Sequence, residues 1–205
     1  MIGLLSPQNF SSPYKAVNPS DFWRRWHMSL SSWLRDYLFI PLGGSRSTTL
    51  MTVRNLLVTF LLAGLWHDPA WTFVFWGLLW GVFQSVHLLA HNRGLTLSWV
   101  WLNRALTLLA AVIAWVFFRA HSMRTAVDVL AAMLGLDDVR DESLLRLTPA
   151  LVALILFGLL WVSFLPNSWQ VEPRPKARYA LALGLLAGCS LLTLTRPSPF
   201  LYLQF

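Results

Sequence analysis

Residues 60–77 read FLLAGLWHDPAWTFVFWG. His67 and Asp68 stand side by side in this stretch, with aliphatic and aromatic residues before and after them. Ionisable side chains are expensive in an apolar environment, so their presence there indicates either a functional role or a specific structural partner. The stretch predicts two apolar helices that meet at a polar junction.

The composition of the whole chain is that of a membrane protein. Hydrophobic residues make up 56% of the 205 residues and charged residues only 12%, and the mean hydropathy is +0.55. A typical soluble domain has about twice that charged fraction. We therefore predict an all-α, polytopic helical protein whose surroundings are membrane lipid.

The net charge of +7 fits a membrane surface better than a nucleic acid. Cationic side chains near the ends of membrane spans are attracted to anionic lipid. A nucleic-acid surface would combine its basic stripe with stacking aromatic residues, which this chain does not show. We predict lipid contact and no nucleic-acid partner.

Apolar runs predict about five spans inside a transmembrane region at residues 53–195. A full crossing needs about 20 helical residues. The first run is short, reaching about 21 Å at 1.5 Å per residue, so we expect it to end within the bilayer, near His67. The runs are Val53 to Trp66, Pro69 to Ala90, Ala105 to Phe118, Leu147 to Leu165 and Tyr179 to Thr195.

Lys and Arg residues suggest an orientation, because short cytoplasmic loops are enriched in them. Residues 1–54 carry six of these cations, and the loop at 119–146 mixes four arginines with five acidic residues. In a five-span arrangement the first side is predicted to be cytoplasmic. The chain is therefore expected to cross a membrane several times.

The segment at 18–40 before the first run predicts an amphipathic helix that lies along the membrane interface. Asn18 is suited to cap it, Pro19 to occupy its first position and Pro41 to end it. At 100° per residue the helix has an apolar face, on which His27 also falls, and a polar face. The apolar face comprises Trp23, Trp26, Leu30, Trp33, Leu34 and Tyr37, and the polar face comprises Arg24, Arg25, Ser32, Arg35 and Asp36.

Two histidines, His27 and His67, are thus predicted to point into one low-dielectric interior. Such surroundings favour neutral imidazole, which leaves one ring nitrogen free to accept a proton. A neutral histidine of this kind is a general base for a hydroxyl group, as acyl transfer to an alcohol requires. Each histidine has an alternative reading as a structural residue bonded to a nearby carbonyl. No His and carboxylate set has metal-ligand spacing, so no metal is predicted.

Asp68 precedes Pro69, and this order predicts that Asp68 caps the following helix with Pro69 at its first position. The neighbouring aromatic residues are read as packing and interface anchors, with the alternative that they line an acyl or carrier channel. They comprise Trp66, Trp71, Phe73, Phe75, Trp76 and Trp80.

Four stretches together resemble the membrane-bound O-acyltransferase superfamily, in its bacterial alginate O-acetyltransferase branch. DFWRRWHMSLSSWLRDYLFIPLGG at 21–44 and LLAGLWHDPAWTFVFWG at 61–77 carry most of the likeness. WVFFRAHSMRTAVDVLAAMLG at 115–135 and PFLYLQF at 199–205 extend it to the end of the chain. The resemblance implies that residues 1–205 form a partial domain of this family, its C-terminal half, with the N-terminal half absent.

The resemblance also implies an activity and a site. Acetyl groups would pass from a cytoplasmic donor such as acetyl-CoA, with no tightly bound cofactor, to modify an exopolysaccharide such as alginate. His67 matches the catalytic histidine and His27 the second polar position of the motif. A periplasmic acetyltransferase would be the partner, and the polysaccharide would be reached indirectly. The family usually has glycine after the catalytic histidine, where this chain has Asp68.

Two further function classes stay open at this point. One is a non-catalytic or truncated membrane scaffold subunit, favoured if the rest of the domain is missing. The other is a transporter or lipid-handling protein, in which the histidines would relay protons or line a pathway.

Overall fold

The computed structural model describes residues 7–46, 48–95, 97–136, 149–170 and 177–193. Over these ranges the chain is helical, as predicted, and holds eight α-helices. A 3₁₀ turn at Pro13–Lys15 precedes α1, and a π-helical turn at Arg35–Phe39 continues α2. The helices are α1 Pro19–Arg25, α2 Met28–Leu34, α3 Thr49–His67, α4 Trp71–Asn92, α5 Val100–Arg119, α6 Met123–Met133, α7 Pro149–Phe164 and α8 Ala177–Thr193.

Three of these helices are long and apolar enough to cross a membrane. They are α3, α4 and α5, with 19, 22 and 20 residues, which correspond to about 28, 33 and 30 Å. The fourth and fifth predicted runs form the shorter apolar helices α7 and α8, of 16 and 17 residues. The chain is a multi-pass membrane protein, with three of the five predicted spans confirmed at full length.

The first span is longer than the apolar run predicted. It begins at Thr49, because the Thr48 side chain accepts a hydrogen bond from the Met51 backbone N–H at 3.3 Å and so caps the helix. The expectation of a half-length span is therefore wrong. His67 is the last residue of a helix with nearly the length of a full crossing.

The segment at 18–40 is not the single helix that the pattern predicted. Asn18 does cap it, accepting from the Asp21 N–H at 2.7 Å, and Pro19 does begin α1. The helix then ends at Arg25, because His27 adopts left-handed backbone angles, φ 42° and ψ 58°, and α2 starts a new direction. Trp23 is buried inside the protein while Tyr37 is 66% exposed, so the predicted apolar face is divided between two environments.

Helices α3 and α4 form a hairpin whose backbones touch. A Cβ added at Gly64 would collide with the carbonyl oxygen of Phe73, and one added at Gly77 would collide with that of Phe60. The same Cβ positions would lie 3.3 Å from the opposite glycine's Cα. Small residues permit such close approach in membranes, where lipid tails remove most of the hydrophobic drive for helix association.

The core around this hairpin is aromatic. The Trp80 ring stacks on Phe22 of α1 at 4.8 Å, and Trp23 meets the rings of Phe60, Trp76 and Trp80 edge-on at 5.0–6.0 Å. Aromatic pairs at these separations contribute about 0.5–1.5 kcal/mol each beyond burial. Helix α1 is therefore part of the packed interior rather than a helix resting on the lipid surface.

A buried polar contact fixes α1 to α4. Ser20 Oγ donates to Gln84 Oε1 at 2.7 Å, and Gln84 Nε2 donates to the Pro19 carbonyl at 3.1 Å. Both polar ends of the Gln84 amide are satisfied although the residue is buried, which removes the penalty of burying it. The contact sets the position of the segment that carries His27.

Helix α6 was not foreseen, since the sequence suggested only a polar loop at 119–146. The Ser122 side chain caps it by accepting from the Thr125 N–H at 3.1 Å, and its Ala126 is fully buried. Helix α7 follows residues 137–148, which lie outside the described ranges. Helix α8 belongs to a separate compact unit, from Ser168 onward, and is an apolar helix of exposed leucines.

Candidate functional site

His27 stands at a backbone position that is strained and held in place. Left-handed angles in a residue other than glycine cost about 1–3 kcal/mol, although histidine is among the residues that tolerate them best. Asn9 forms hydrogen bonds with the first residues of α2, which follow His27. Its carbonyl accepts from the Met28 N–H at 2.9 Å, and its side-chain oxygen accepts from both the N–H and the hydroxyl of Ser29. This bracing keeps the imidazole in a direction that a continuous helix would not give it.

The His27 ring has an unused polar atom. Its Nδ1 is buried and has no hydrogen-bond partner in the part of the chain that the structure describes. The ring lies 6.1 Å from that of Phe10, which in turn packs edge-on against Trp26 at 4.9 Å. A buried nitrogen of this kind is available to a ligand or a substrate hydroxyl.

His67 lies at the end of α3 inside four aromatic rings, which we call the aromatic cage. Phe73 and Trp76 come from the first turns of α4, Phe118 comes from α5, and Trp66 is the neighbour of His67 in the chain. The centroid distances from His67 are 5.0 Å to Trp66, 6.3 Å to Phe73, 5.2 Å to Trp76 and 5.3 Å to Phe118. Among the described residues none hydrogen-bonds the His67 imidazole, so neither ring nitrogen is engaged by the protein there.

The structure places the two predicted site histidines at the two ends of one aromatic region. A continuous series of ring contacts also joins their surroundings, from Trp26 to Trp115 at 4.9 Å and from Trp115 to Phe118 at 5.4 Å. The two residues come from elements 40 positions apart in the sequence, so this meeting is a property of the fold.

Two aromatic residues near the site histidines come from α5 and were not predicted from the sequence. Trp115 and Phe118 lie three residues apart on one face of that helix, which is the spacing that a site-facing pair requires. Their motif, WVFF, forms part of the stretch that resembles the family. Its aromatic residues at positions i and i+3 were the sequence feature from which this pair could have been predicted.

Tyr14 adds a hydroxyl next to this aromatic region. Its ring lies 6.4 Å from Trp26 and 6.5 Å from Phe22. Burial raises the pKa of the Tyr14 phenol above its usual value of 10.0, and the nearby Trp115 indole partly opposes the rise. Tyr14 therefore stays protonated and neutral at physiological pH.

Asp68 does not cap the following helix, contrary to the prediction. It ends α3 with extended angles, φ −165° and ψ 141°, and α4 begins only at Trp71, with Ala70 at the cap position. Pro69 disfavours helical angles in the residue before it and so favours the end of α3 there, and Pro69 and Ala70 separate Asp68 from the first turn of α4. Asp68 is half-buried, and in the described ranges its carboxylate has no hydrogen bond or ion pair.

The remaining histidines lie elsewhere. His87 and His91 face each other on the last turns of α4 with 6.4 Å between ring centroids, and His121 is exposed before α6. The described residues contain no group of three His, Cys, Asp or Glu side chains placed to hold a metal ion. The predicted independence from metals stays a prediction.

Fold and site together define a multi-pass helical membrane protein with His67 in an aromatic cage and His27 in the adjoining aromatic region. Comparison with known proteins shows to which family the chain belongs. The chain is 47% identical over 137 residues to a peptidoglycan O-acetyltransferase of Helicobacter pylori, covering 65% of this chain and 26% of that protein. It is 36% identical over its whole length to a probable alginate O-acetylase AlgI of Pseudomonas putida, of which it covers 47%.

A more distant relative is named for the transfer of a different acyl group, D-alanyl. Over 57% of its length the chain is 35% identical to a teichoic acid D-alanyltransferase of Bacillus subtilis, covering 31% of that protein. The model of the membrane-bound O-acyltransferase family matches residues 1–130, and the chain belongs to this family. It spans between a quarter and a half of the length of the curated relatives it matches.

Proposed function

We propose that this chain forms the acyl-transfer site of a membrane-embedded O-acetyltransferase that modifies a cell-surface glycan. The observation that carries the proposal is His67 in the aromatic cage, joined by ring contacts through Phe118, Trp115 and Trp26 to the surroundings of His27. His27 Nδ1 and the His67 ring are both free of hydrogen bonds to described residues. Membership in the membrane-bound O-acyltransferase family supports the reaction class. Acetyl-CoA on the cytoplasmic side is the proposed donor.

In this proposal His67 is the general base. A neutral imidazole accepts the proton of a hydroxyl group as that oxygen attacks the acyl carbonyl, which contributes about 10²–10⁴ to the rate in enzymes of this kind. The apolar rings of the cage lower the local polarity, which strengthens the electrostatic interactions of the transfer step. His27 is the second polar group of the site and is braced to face the same interior.

The acceptor class is inferred from the relatives. Their names refer to peptidoglycan, alginate and teichoic acid, which are all cell-envelope or secreted polymers. We propose an exopolysaccharide such as alginate, because the alginate relative aligns along this whole chain. A periplasmic acetyltransferase is proposed to complete the delivery, with the chain as a multi-pass component of a bacterial inner membrane.

The test is the O-acetyl content of the cell's glycans in strains that carry His67→Ala at the chromosomal locus. Secreted polysaccharide is measured by NMR and peptidoglycan by chromatography of its digested fragments, with membrane protein levels matched. We expect acetylation of one polymer to fall to background. His121→Ala is the matched control, because His121 is an exposed histidine outside the cage, and it should leave acetylation unchanged.

The outcome separates the competing functions. Loss of acetyl groups from peptidoglycan alone would keep the acyl-transfer site and change the acceptor. Unchanged acetylation in His67→Ala, with acetylation lost only when the whole chain is deleted, would favour the scaffold function and overturn the catalytic one.

A further inference from the structure

Four buried polar groups in the core have no hydrogen-bond partner among the described residues. They are the indole nitrogens of Trp23, Trp76 and Trp80 and the hydroxyl of Thr59. Every one belongs to a residue that is less than 10% exposed. Buried donors in folded proteins are almost always satisfied, so an orphaned indole N–H is a donor that an acceptor from outside the described residues can use.

Trp76 differs from the other three in where it lies. It is 1% exposed, and its ring meets the His67 ring at 5.2 Å and 88° and the Phe118 ring at 5.3 Å. Trp80, one helical turn further along α4, packs against Phe22, Trp23 and Phe83 instead. Of these four residues, Trp76 is the one whose ring contacts that of His67 in the described part of the chain.

We propose that the indole N–H of Trp76 binds the acyl carbonyl oxygen during transfer and stabilises its developing negative charge. The inference rests on the proposed acyl-transfer function and assigns a further catalytic residue to that site. Preorganised donors aimed at a developing oxyanion are among the largest contributions to acyl transfer. Trp76 fits this role because both its burial and its packing hold the indole in place beside the general base.

In the proposed reaction, a hydroxyl group of the acceptor replaces the thiol of the acyl donor. The acceptor hydroxyl oxygen bonds to the carbonyl carbon of an acyl thioester while His67 takes the hydroxyl proton. The carbonyl oxygen becomes an oxyanion, which the Trp76 N–H binds. The oxyanion then re-forms the carbonyl, the carbon–sulfur bond breaks, and the leaving thiolate takes the proton from His67. The products are an O-acyl ester and a thiol.

A neutral donor suits this position better than a cation. A lysine or arginine inside the cage would lose its hydration and would repel the imidazolium that His67 becomes during the reaction. An indole N–H carries no net charge and keeps the apolar character of the surrounding rings. The same residue therefore contributes an apolar ring to the cage and provides the hydrogen bond.

The experiment compares Trp76→Phe with Trp80→Phe in membranes that contain the protein expressed from its own locus. Phenylalanine keeps an aromatic ring and removes the N–H in both variants, so Trp80→Phe controls for the loss of a buried indole. Transfer from radiolabelled acetyl-CoA to the cell's glycan is measured as kcat and KM. We expect Trp76→Phe to lower kcat by about 10²-fold, with KM for acetyl-CoA and the amount of folded protein near wild type. Trp80→Phe should leave kcat nearly unchanged.

A second variant separates the N–H from the size of the ring. Replacing Trp76 with 3-benzothienylalanine puts a sulfur atom where the indole has its N–H and retains the bicyclic shape. If kcat stays low in this variant, the hydrogen bond is responsible. If kcat returns to wild type, or if Trp76→Phe and Trp80→Phe lose activity equally, the inference is overturned and Trp76 only packs the cage.

His67→Ala in the same assay distinguishes failure of the inference from failure of the proposed function. Abolished transfer in His67→Ala together with normal kcat in the sulfur variant overturns only the role of Trp76. Undiminished transfer in His67→Ala overturns the proposed function, and the role of Trp76 falls with it.

Discussion

Gly64 in α3 and Gly158 in α7 are both glycines inside apolar helices, yet their surroundings are opposite. A Cβ at Gly64 would strike the backbone of α4, whereas one at Gly158 would meet nothing within 4 Å. Helix α3 buries six residues, and α7 buries none among the described residues. Hydropathy thus predicts that both helices are apolar, but only a packed partner decides which of them forms part of a site.

The largest expected effect tests this contrast directly. Gly64→Ala should prevent the hairpin from closing, with a loss of about 3 kcal/mol or more, because the added methyl meets a backbone carbonyl that cannot move aside. Thermal unfolding of the detergent-solubilised protein measures it. Gly158→Ala is the matched control and should be neutral or stabilise by up to about 1 kcal/mol, since alanine is the better helix former. Equal behaviour of the two variants would contradict the packed hairpin.

A smaller effect is expected at the buried contact between α1 and α4. Gln84→Leu leaves the Ser20 hydroxyl and the Pro19 carbonyl without their partner, and should destabilise the protein by about 1–3 kcal/mol. Asn103→Leu removes a side-chain amide whose hydrogen bond to the Leu97 carbonyl is exposed, so its cost should be below about 1 kcal/mol. The same unfolding measurement ranks the two, and the reverse order would show that the α1 contact is not part of the core.

The smallest effect on stability, and the most informative for the site, is expected at His27. His27→Gly relieves the left-handed backbone and should change the free energy of unfolding by no more than about 1 kcal/mol, while acyl transfer falls because the imidazole is gone. Ser12→Gly controls for backbone relief, since Ser12 also has positive φ, at 51°, and it should retain transfer. Transfer activity retained in His27→Gly would remove His27 from the proposed site.

Much of this architecture follows from residue patterns. Long apolar runs predicted helices at α3, α4 and α5, although α3 is longer than its run indicated. Asn18 with Pro19 predicted the start of α1, because caps act through contacts within one turn. The break at His27 was not foreseen, since it depends on Asn9, a residue 18 positions away that the amphipathic pattern does not include. The position of Asp68 was misread because α4 begins at Trp71, two residues after Pro69, which puts Ala70 rather than Asp68 at the cap position.

The site was predictable to the same extent. His27 and His67 were identified from their apolar surroundings and from the family motif, and in the fold ring contacts join their surroundings. The aromatic contacts from α5 and the orphaned indole of Trp76 could not be deduced, because ring contacts between helices depend on how the helices pack. Their catalytic roles stay predictions until the His67 and Trp76 variants are measured.

The connection between α3 and α4 is only three residues long, at positions 68–70, and His67 lies at the closed end of the hairpin. Contacts between neighbours in sequence form before distant ones, because little loop entropy opposes them. We therefore expect the hairpin to enter the membrane as one unit during synthesis and to assemble the Phe73 and Trp76 side of the cage on the ribosome. Phe118 closes the other side once α5 has been translated, so the site is built in the order in which the chain leaves the translocation machinery.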